Sequence, residues 1–252
     1  MAALALPRQL SLLGKLRAII RIAGMAALLL VCIPLHYVSH LLHLPNPWPR
    51  VFLGGVTWIS GVVLACRGQR ARGGVFLIAN HVSWIDVPAL AAASGSAFVG
   101  HDGLASMPLL EWLCRMNRTV FIARHDRTSV AEQVEAVRAA LSESGALTIF
   151  PEGTTSDGTG LLPFKSSLLS AFEPLPAGIA VQPVLLDYGA EAAELSWIGE
   201  EHGLDNFLRI LARARPVQLT IHYLPVLSGD DLLNRKTIAQ AARDAILKQL
   251  AG

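Results

Sequence analysis

A histidine and an aspartate five positions apart, His81 and Asp86, stand in the stretch 75–88, which reads V-F-L-I-A-N-H-V-S-W-I-D-V-P. A carboxylate that holds one nitrogen of an imidazole fixes its tautomer and stabilises the imidazolium formed when the other nitrogen takes a proton. Such a pair is a general base. On one continuous helix the two side chains would point roughly 140° apart, so a hydrogen-bonded pair requires a turn between them. The apolar run 75–79 predicts a buried strand that delivers Asn80 and His81 to its end, and Ser83 is placed to cap the helix beyond the turn. No GxSxG occurs in the chain, so a serine nucleophile on a strand–helix elbow is not indicated. The substrate is then expected to supply the nucleophile. A core histidine beside a solvated aspartate is the other reading of an isolated HxxxxD, and the remaining segments must decide between them.

Two further places present chemistry at predicted strand ends. Residues 119–123 read as a strand ending in Arg124, which can hold a phosphate or carboxylate through two parallel N–H bonds. A surface ion pair is the alternative role for that residue. Residues 146–150 form another short apolar run that leads into P-E-G-T-T-S-D-G, residues 151–158. Proline and glycine around a glutamate at a strand end make a tight loop able to present Glu152 and backbone N–H groups to a ligand. Gly153 and Gly158 have the spacing of a P-loop, but Thr159 and Gly160 stand where lysine and a hydroxyl residue belong. A nucleotide triphosphatase is therefore disfavoured.

The chain has 252 residues, 52% hydrophobic and 16% charged, without a Pro/Gly/Ser-rich linker or internal repeat, which suits one catalytic domain with a membrane-facing appendage. The net charge of +2 conceals an asymmetry, because all the residues before Asp86 include eight Lys or Arg and no Asp or Glu. A basic, apolar front end suits an anionic membrane surface, and the long apolar runs between its cations argue against nucleic acid. Residues 10–44 nearly make a membrane helix, but basic residues flank the apolar run on both sides and Pro34 and Pro45 interrupt it. Two helices broken near those prolines, lying in one leaflet, are expected. A cleaved signal peptide is the competing account, and no clear A-x-A site supports it. His36, His40 and His43 share a helical face, which is read as a polar stripe rather than a metal site. Three cysteines without CxxC spacing indicate reduced thiols.

The remaining elements follow from periodicity. A helix is expected near 48–60, strands near 62–67 and 96–100, and helices over 107–116 and 129–144, the last with a Ser129-x-x-Glu132 capping box. Strands over 178–187 and 217–223 and a closing amphipathic helix over 237–250 complete the reading. The whole predicts an α/β layered sandwich with a largely parallel sheet of about seven strands, an early β-hairpin, and an N-terminal membrane-associated helical hairpin. Residues 1–60 are assigned to the membrane helices and 61–252 to the catalytic domain.

With both polar blocks in view, the chain resembles the glycerolipid acyltransferases typified by lysophosphatidic acid acyltransferase. The family block NHxSxxD is present as Asn80, His81, Ser83 and Asp86, and FPEGTxS as the stretch from Phe150 to Ser156. The block ending F-I-x-R corresponds to 120–124 and a proline-valine block to Pro183-Val184. The resemblance implies transfer of a fatty acyl group from acyl-CoA or acyl carrier protein to the free hydroxyl of a lysolipid, with no metal and no cofactor beyond that co-substrate. His81 would be the base and Asp86 its orienting partner. Glu152, Gly153 and Thr154 would belong to the acceptor site, Arg124 would contact phosphate, and Ser83 or loop N–H groups would stabilise the oxyanion. Many relatives carry arginine where this chain has Thr155, and often glycine and aspartate where it has Arg118 and Ala123. Arg118 or Lys165 is expected to replace the missing charge. Lysophosphatidate is thus the first acceptor implied and lyso-ornithine lipid, which lacks a phosphomonoester, the main alternative. The implied location is the cytosolic face of a bacterial inner membrane. Lipid hydrolysis by the same pair and a non-catalytic membrane lipid-binding protein are the other classes to be distinguished.

Overall fold

A computed structural model describes residues 10–101, 108–122, 130–199 and 201–252. Seven strands form one sheet: β1 (Val62–Arg67), β2 (Val75–Ala79), β3 (Ala97–His101), β4 (Val120–Ile122), β5 (Ala146–Ile149), β6 (Ala180–Asp187) and β7 (Val217–Tyr223). Their spatial order is β1-β7-β6-β2-β5-β3-β4. Every neighbouring pair is parallel except β6 with β7. The largely parallel seven-stranded sheet is as expected. β2 lies in its middle, and all five of its residues are buried, which is why it reads as a continuous apolar run rather than an alternating one.

The early hairpin is not formed. β1 pairs with β7, with Val62 opposite Val217, and lies three places from β2. The 68–74 segment crosses the sheet end instead of folding back. At Gly68 the backbone has φ +73°, and a Cβ there would sit 2.2 Å from the Tyr223 carbonyl oxygen, so only glycine lets the chain pass the end of β7. Gln182, buried on β6, then holds the crossing segment: its Oε1 accepts from Ala71 N at 2.9 Å and its amide donates to the Gln69 carbonyl at 3.0 Å.

Helices cover both faces. On one face, Val75, Leu77 and Ala79 pack with α3 (Asp86–Ser94) and with Ile210 of α7 (Gly203–Leu211). On the other, Phe76 and Ile78 pack with Val137 and Leu141 of α5 (Val130–Ser144) and Ile238 and Ala242 of α8 (Arg235–Leu250). The short α6 (Ala192–Leu195) packs on the Leu77 face through Ala192 and Leu195, and α4 (Pro108–Met116) joins β3 to β4 in the chain. The capping box expected at Ser129 falls outside the described residues.

The N-terminal hairpin consists of α1 (Leu12–Leu41) and α2 (Trp48–Ile59). α1 runs through Pro34, contrary to the expected break. A single proline removes one backbone N–H and costs about 3 kcal/mol, which an apolar helix with many intact bonds on either side sustains. The chain turns only at the Pro45-Asn46-Pro47 cluster. α1 contains an 18-residue window with a mean hydropathy of 2.4 and is long enough to cross a membrane. Leu12, Leu16, Ile19, Ile20 and Leu30 are exposed along it.

Its cations are employed differently from the headgroup role that their number suggested. Arg17 Nη1 donates to the Ala212 carbonyl at 2.6 Å, and Arg21 Nη1 donates to those of Leu211 and Arg213 at 2.9 and 3.3 Å. These are the free carbonyls at the C-terminus of α7, where positive charge is favoured. Arg50 of α2 does the same for α3, donating to Ala92 and Ala93. The hairpin is thus fastened to the helix that follows the histidine.

Candidate active site

β2 ends at Ala79, and the next two residues are held from both sides. The Asn80 amide donates to the Leu186 carbonyl at 3.1 Å and its Oδ1 accepts from Leu186 N at 2.7 Å, extending the β2–β6 ladder by a side chain. His81 N–H donates to Glu152 Oε1 at 2.8 Å. The His81 carbonyl accepts from Ser156 N at 2.7 Å and from Ser156 Oγ at 3.1 Å. The imidazole stacks on Phe150, the last residue before the 151–158 loop, with ring centroids 4.3 Å apart and planes 18° from parallel. Adjacent parallel strands β2 and β5 place these two loops side by side.

The turn required between His81 and Asp86 is present. Residues 82–85 wrap around the aspartate, which is the first residue of α3 and fully buried. His81 Nδ1 lies 2.8 Å from Asp86 Oδ2, and the same oxygen accepts from Val82 N at 2.6 Å and Ser83 N at 2.9 Å. Oδ1 accepts from Tyr188 Oη at 2.5 Å. Donors converging from three N–H groups and one hydroxyl, together with the N-terminus of α3, stabilise a buried carboxylate in its ionised form. An ionised Asp86 accepts, so Nδ1 carries the ring proton and Nε2 carries the free lone pair. The His81 side chain is 21% exposed, and Nε2 accepts no hydrogen bond among the described residues. An imidazole so held, with its second nitrogen open, has the geometry that general-base chemistry requires.

Tyr188, which follows β6, was not singled out from the sequence. Burial beside the Asp86 carboxylate raises its hydroxyl well above the usual phenol range, so it remains a donor to Asp86 at any working pH. Its only sequence signal is a polar aromatic residue directly after an apolar strand run.

The other expected site residues fall into two groups. Ser83 is buried, its hydroxyl has no hydrogen-bond partner, and its N–H is committed to Asp86. It does not cap α3, whose N-cap is Ile85. Glu152 is 1% exposed. Oε1 serves His81 N and Oε2 accepts from Leu162 N at 2.9 Å. Burial raises this carboxyl above its ordinary range, and the backbone hydrogen bonds from His81 and Leu162 partly offset that. Glu152 is therefore joined to the site through the His81 backbone.

Gly153, Thr154 and Thr155 form the exposed rim of the same loop. Gly153 takes φ +69° and closes the turn by donating to the Phe150 carbonyl at 3.0 Å. Thr154 is exposed. The Thr155 hydroxyl donates to the Trp197 carbonyl. The N–H groups of Thr154 and Thr155 donate to no acceptor among the described residues. Lys165 is exposed, with its own N–H on the Pro151 carbonyl at 2.8 Å. Arg118 is ion-paired with Glu143 at 2.8 Å on the surface. Arg124 lies outside the described residues.

The model of the family described as Acyltransferase matches residues 63–187, the span that contains β2, the His81–Asp86 turn, the 151–158 loop and β6. A Rhodobacter capsulatus protein named lyso-ornithine lipid O-acyltransferase is 30% identical over 251 residues, covering 94% of this chain and 91% of its own. The chain belongs to the acyltransferase family. A Pseudomonas aeruginosa relative with the same name is 33% identical over 73% of this chain and 71% of its own length. A Neisseria gonorrhoeae protein named 1-acyl-sn-glycerol-3-phosphate acyltransferase is 37% identical over a shorter span, 48% of this chain and 47% of that one. The crystal structure of the Thermotoga maritima 1-acyl-sn-glycerophosphate acyltransferase has the same fold, with a TM-score of 0.64 at 18% identity over 94% of this chain and 96% of that one. This acyltransferase is an enzyme, and the non-catalytic reading of its basic, apolar front end is set aside.

Proposed function

We propose that this acyltransferase moves a fatty acyl group from a thioester donor to the hydroxyl of a lysolipid, and that its acceptor is lyso-ornithine lipid. The observation that carries the reaction is the His81–Asp86 pair with Nε2 left open. Nε2 takes the proton of the acceptor hydroxyl as that oxygen attacks the thioester carbonyl. Asp86 holds Nδ1–H and offsets the imidazolium charge. The free N–H groups of Thr154 and Thr155 are the donors for the oxyanion of the tetrahedral intermediate. Collapse of the intermediate breaks the C–S bond, and the thiolate recovers the proton from Nε2. The acyl group never resides on the protein, which agrees with the absence of a GxSxG serine. Residues 61–252 carry this chemistry. Residues 1–60 hold the enzyme on the cytosolic face of a bacterial inner membrane, where a lysolipid arrives laterally and the donor from water.

The choice of acceptor rests on Thr155. A phosphomonoester needs cations close to the reacting hydroxyl, yet Thr155 spends its hydroxyl on Trp197, Arg118 is paired with Glu143, and Asp157 adds a carboxylate to the loop. An ornithine headgroup, with a free cationic amine, tolerates that balance. The relatives that match over most of their own length carry the corresponding name. Lysophosphatidate is the second reading, supported by the Neisseria relative and by exposed Lys165.

The deciding experiment offers the two lysolipids side by side to the purified enzyme with acyl-CoA or acyl carrier protein. Ornithine lipid as the main product is expected, and phosphatidic acid as the main product would reverse the assignment. His81→Ala is expected to lower turnover by roughly 10² to 10⁴ while leaving the enzyme folded and membrane-bound. Near-normal turnover by that variant would remove His81 from the mechanism. Fatty acid released without an acceptor would indicate a hydrolase.

A further inference from the structure

The sheet has two faces of opposite character. α1, α2, α3 and α7 lie on the Leu77 face, where the exposed apolar residues of α1 also lie. On the Phe76 face, α8 and the 161–166 segment enclose an open groove of about 440 Å³, lined by Pro163, Phe164, Ser166, Lys236, Gln240 and Arg243. Lys165 lies between two of these lining residues and is exposed, as is Lys236. Neither lysine nor Arg243 is in an ion pair with an acidic group among the described residues. The nearby Asp244 carboxylate is engaged by the Gln240 amide at 2.9 and 3.0 Å.

The groove connects to the catalytic histidine through a short series of hydrogen bonds. Arg243 donates to the Leu161 and Leu162 carbonyls at 3.2 and 3.4 Å, Leu162 N–H donates to Glu152, and Glu152 accepts from His81 N–H. A ligand held there would thus lie behind the loop that bears the oxyanion donors. A membrane headgroup is a poor occupant, because the groove opens on the face of the sheet opposite to α1 and α2. A water-soluble anion is the better fit. Unpaired cations beside an aromatic ring suit phosphate oxygens and the flat or extended groups attached to them.

We propose that this groove receives the phosphate-bearing arm of the thioester donor, the shared chemistry of a CoA thioester and of a phosphopantetheine-bearing carrier protein. This rests on the acyl-transfer reading above. The two substrates then reach His81 from opposite faces of the sheet, the lipid from the α1–α2 side and the donor from the α8 side.

The test compares three donors with the same acyl chain on the full-length membrane-bound enzyme: acyl-CoA, acyl carrier protein and an N-acetylcysteamine thioester that has no phosphate. Lys236→Glu and Lys236→Ala change one exposed side chain that lines the groove. Each is expected to raise KM for one or both phosphate-bearing donors by about tenfold or more. The KM for lysolipid, and kcat/KM with the truncated thioester, should stay within about twofold of wild type. The donor whose KM responds identifies the source of the phosphate. An equal loss with all three donors, or no loss with either phosphate-bearing donor, overturns the proposal. Equilibrium binding of CoA and of the carrier protein, measured without acceptor, separates the two readings. Binding that the lysine variants weaken supports the groove even if no lysolipid is acylated, whereas binding that they leave unchanged, or no binding of either donor, removes it.

Discussion

A carboxylate with no exposed surface stays ionised only where donors replace water, and at Asp86 four do so: His81, Val82 N, Ser83 N and Tyr188. The neighbouring buried carboxylate, Glu152, is served by fewer donors, and burial prevails. Its folded-state value is raised above the ordinary 4.5, so the folded chain takes up this proton more readily than the unfolded one. That contribution to stability is full below the ordinary carboxylate value and is lost as pH rises through the raised one. Glu152→Gln cannot titrate, and it sets an amide N–H₂ against a backbone N–H at a cost of about 1–3 kcal/mol. The melting temperature of the wild type relative to this variant is therefore expected to decline as pH rises across that window. A difference that grows with pH would show that the hydrogen bonds, rather than burial, dominate at Glu152.

Among the elements, α3 carries Asp86 at its first position, and its other end is held by Arg50 from α2. α7 is held by Arg17 and Arg21 from α1. Gly14 of α1 permits the approach, since a Cβ there would be 3.3 Å from that of Ala212. These contacts make the N-terminal hairpin a structural part of the catalytic layer. Arg17→Ala/Arg21→Ala is expected to lower stability by about 1–3 kcal/mol and to increase protease cleavage around α1 and the end of α7. Unchanged melting and cleavage would mean that apolar packing alone seats α1. The carbonyl contacts of Arg17 and Arg21 were not legible beforehand, because a sequence shows how many cations a segment has, and not which distant helix end leaves its carbonyls free.

For the whole molecule, the consequence is a membrane attachment that depends on apolar surface more than on charge. Three of the eight front-end cations, Arg17, Arg21 and Arg50, are committed to carbonyls, while exposed Leu, Ile and Trp58 side chains extend over α1 and α2. Flotation with anionic vesicles is expected to persist at about 1 M salt, where the Debye length is ~3 Å. Release of the enzyme at that ionic strength would show electrostatic attachment instead.

The sequence alone indicated strands over 75–79, 146–150 and 178–187, which form as Val75–Ala79, Ala146–Ile149 and Ala180–Asp187, because residues buried on both faces of a sheet are mostly apolar. It also pointed to the His81–Asp86 pair, through the NHxSxxD block rather than through spacing alone, and the two side chains do meet across a strand–helix turn. Tertiary structure decided the rest. β1 lies beside β7, and no local pattern encodes a partner about 150 residues away. α1 continues through Pro34 because the energy of a long helix outweighs one lost bond. Glu152 and Ser83 turn inward while Tyr188 joins the pair, because side-chain direction at a strand end depends on which loop the sheet order brings alongside. Here that neighbour is the β5 loop, set next to β2 by a parallel pairing made only when the whole sheet assembles.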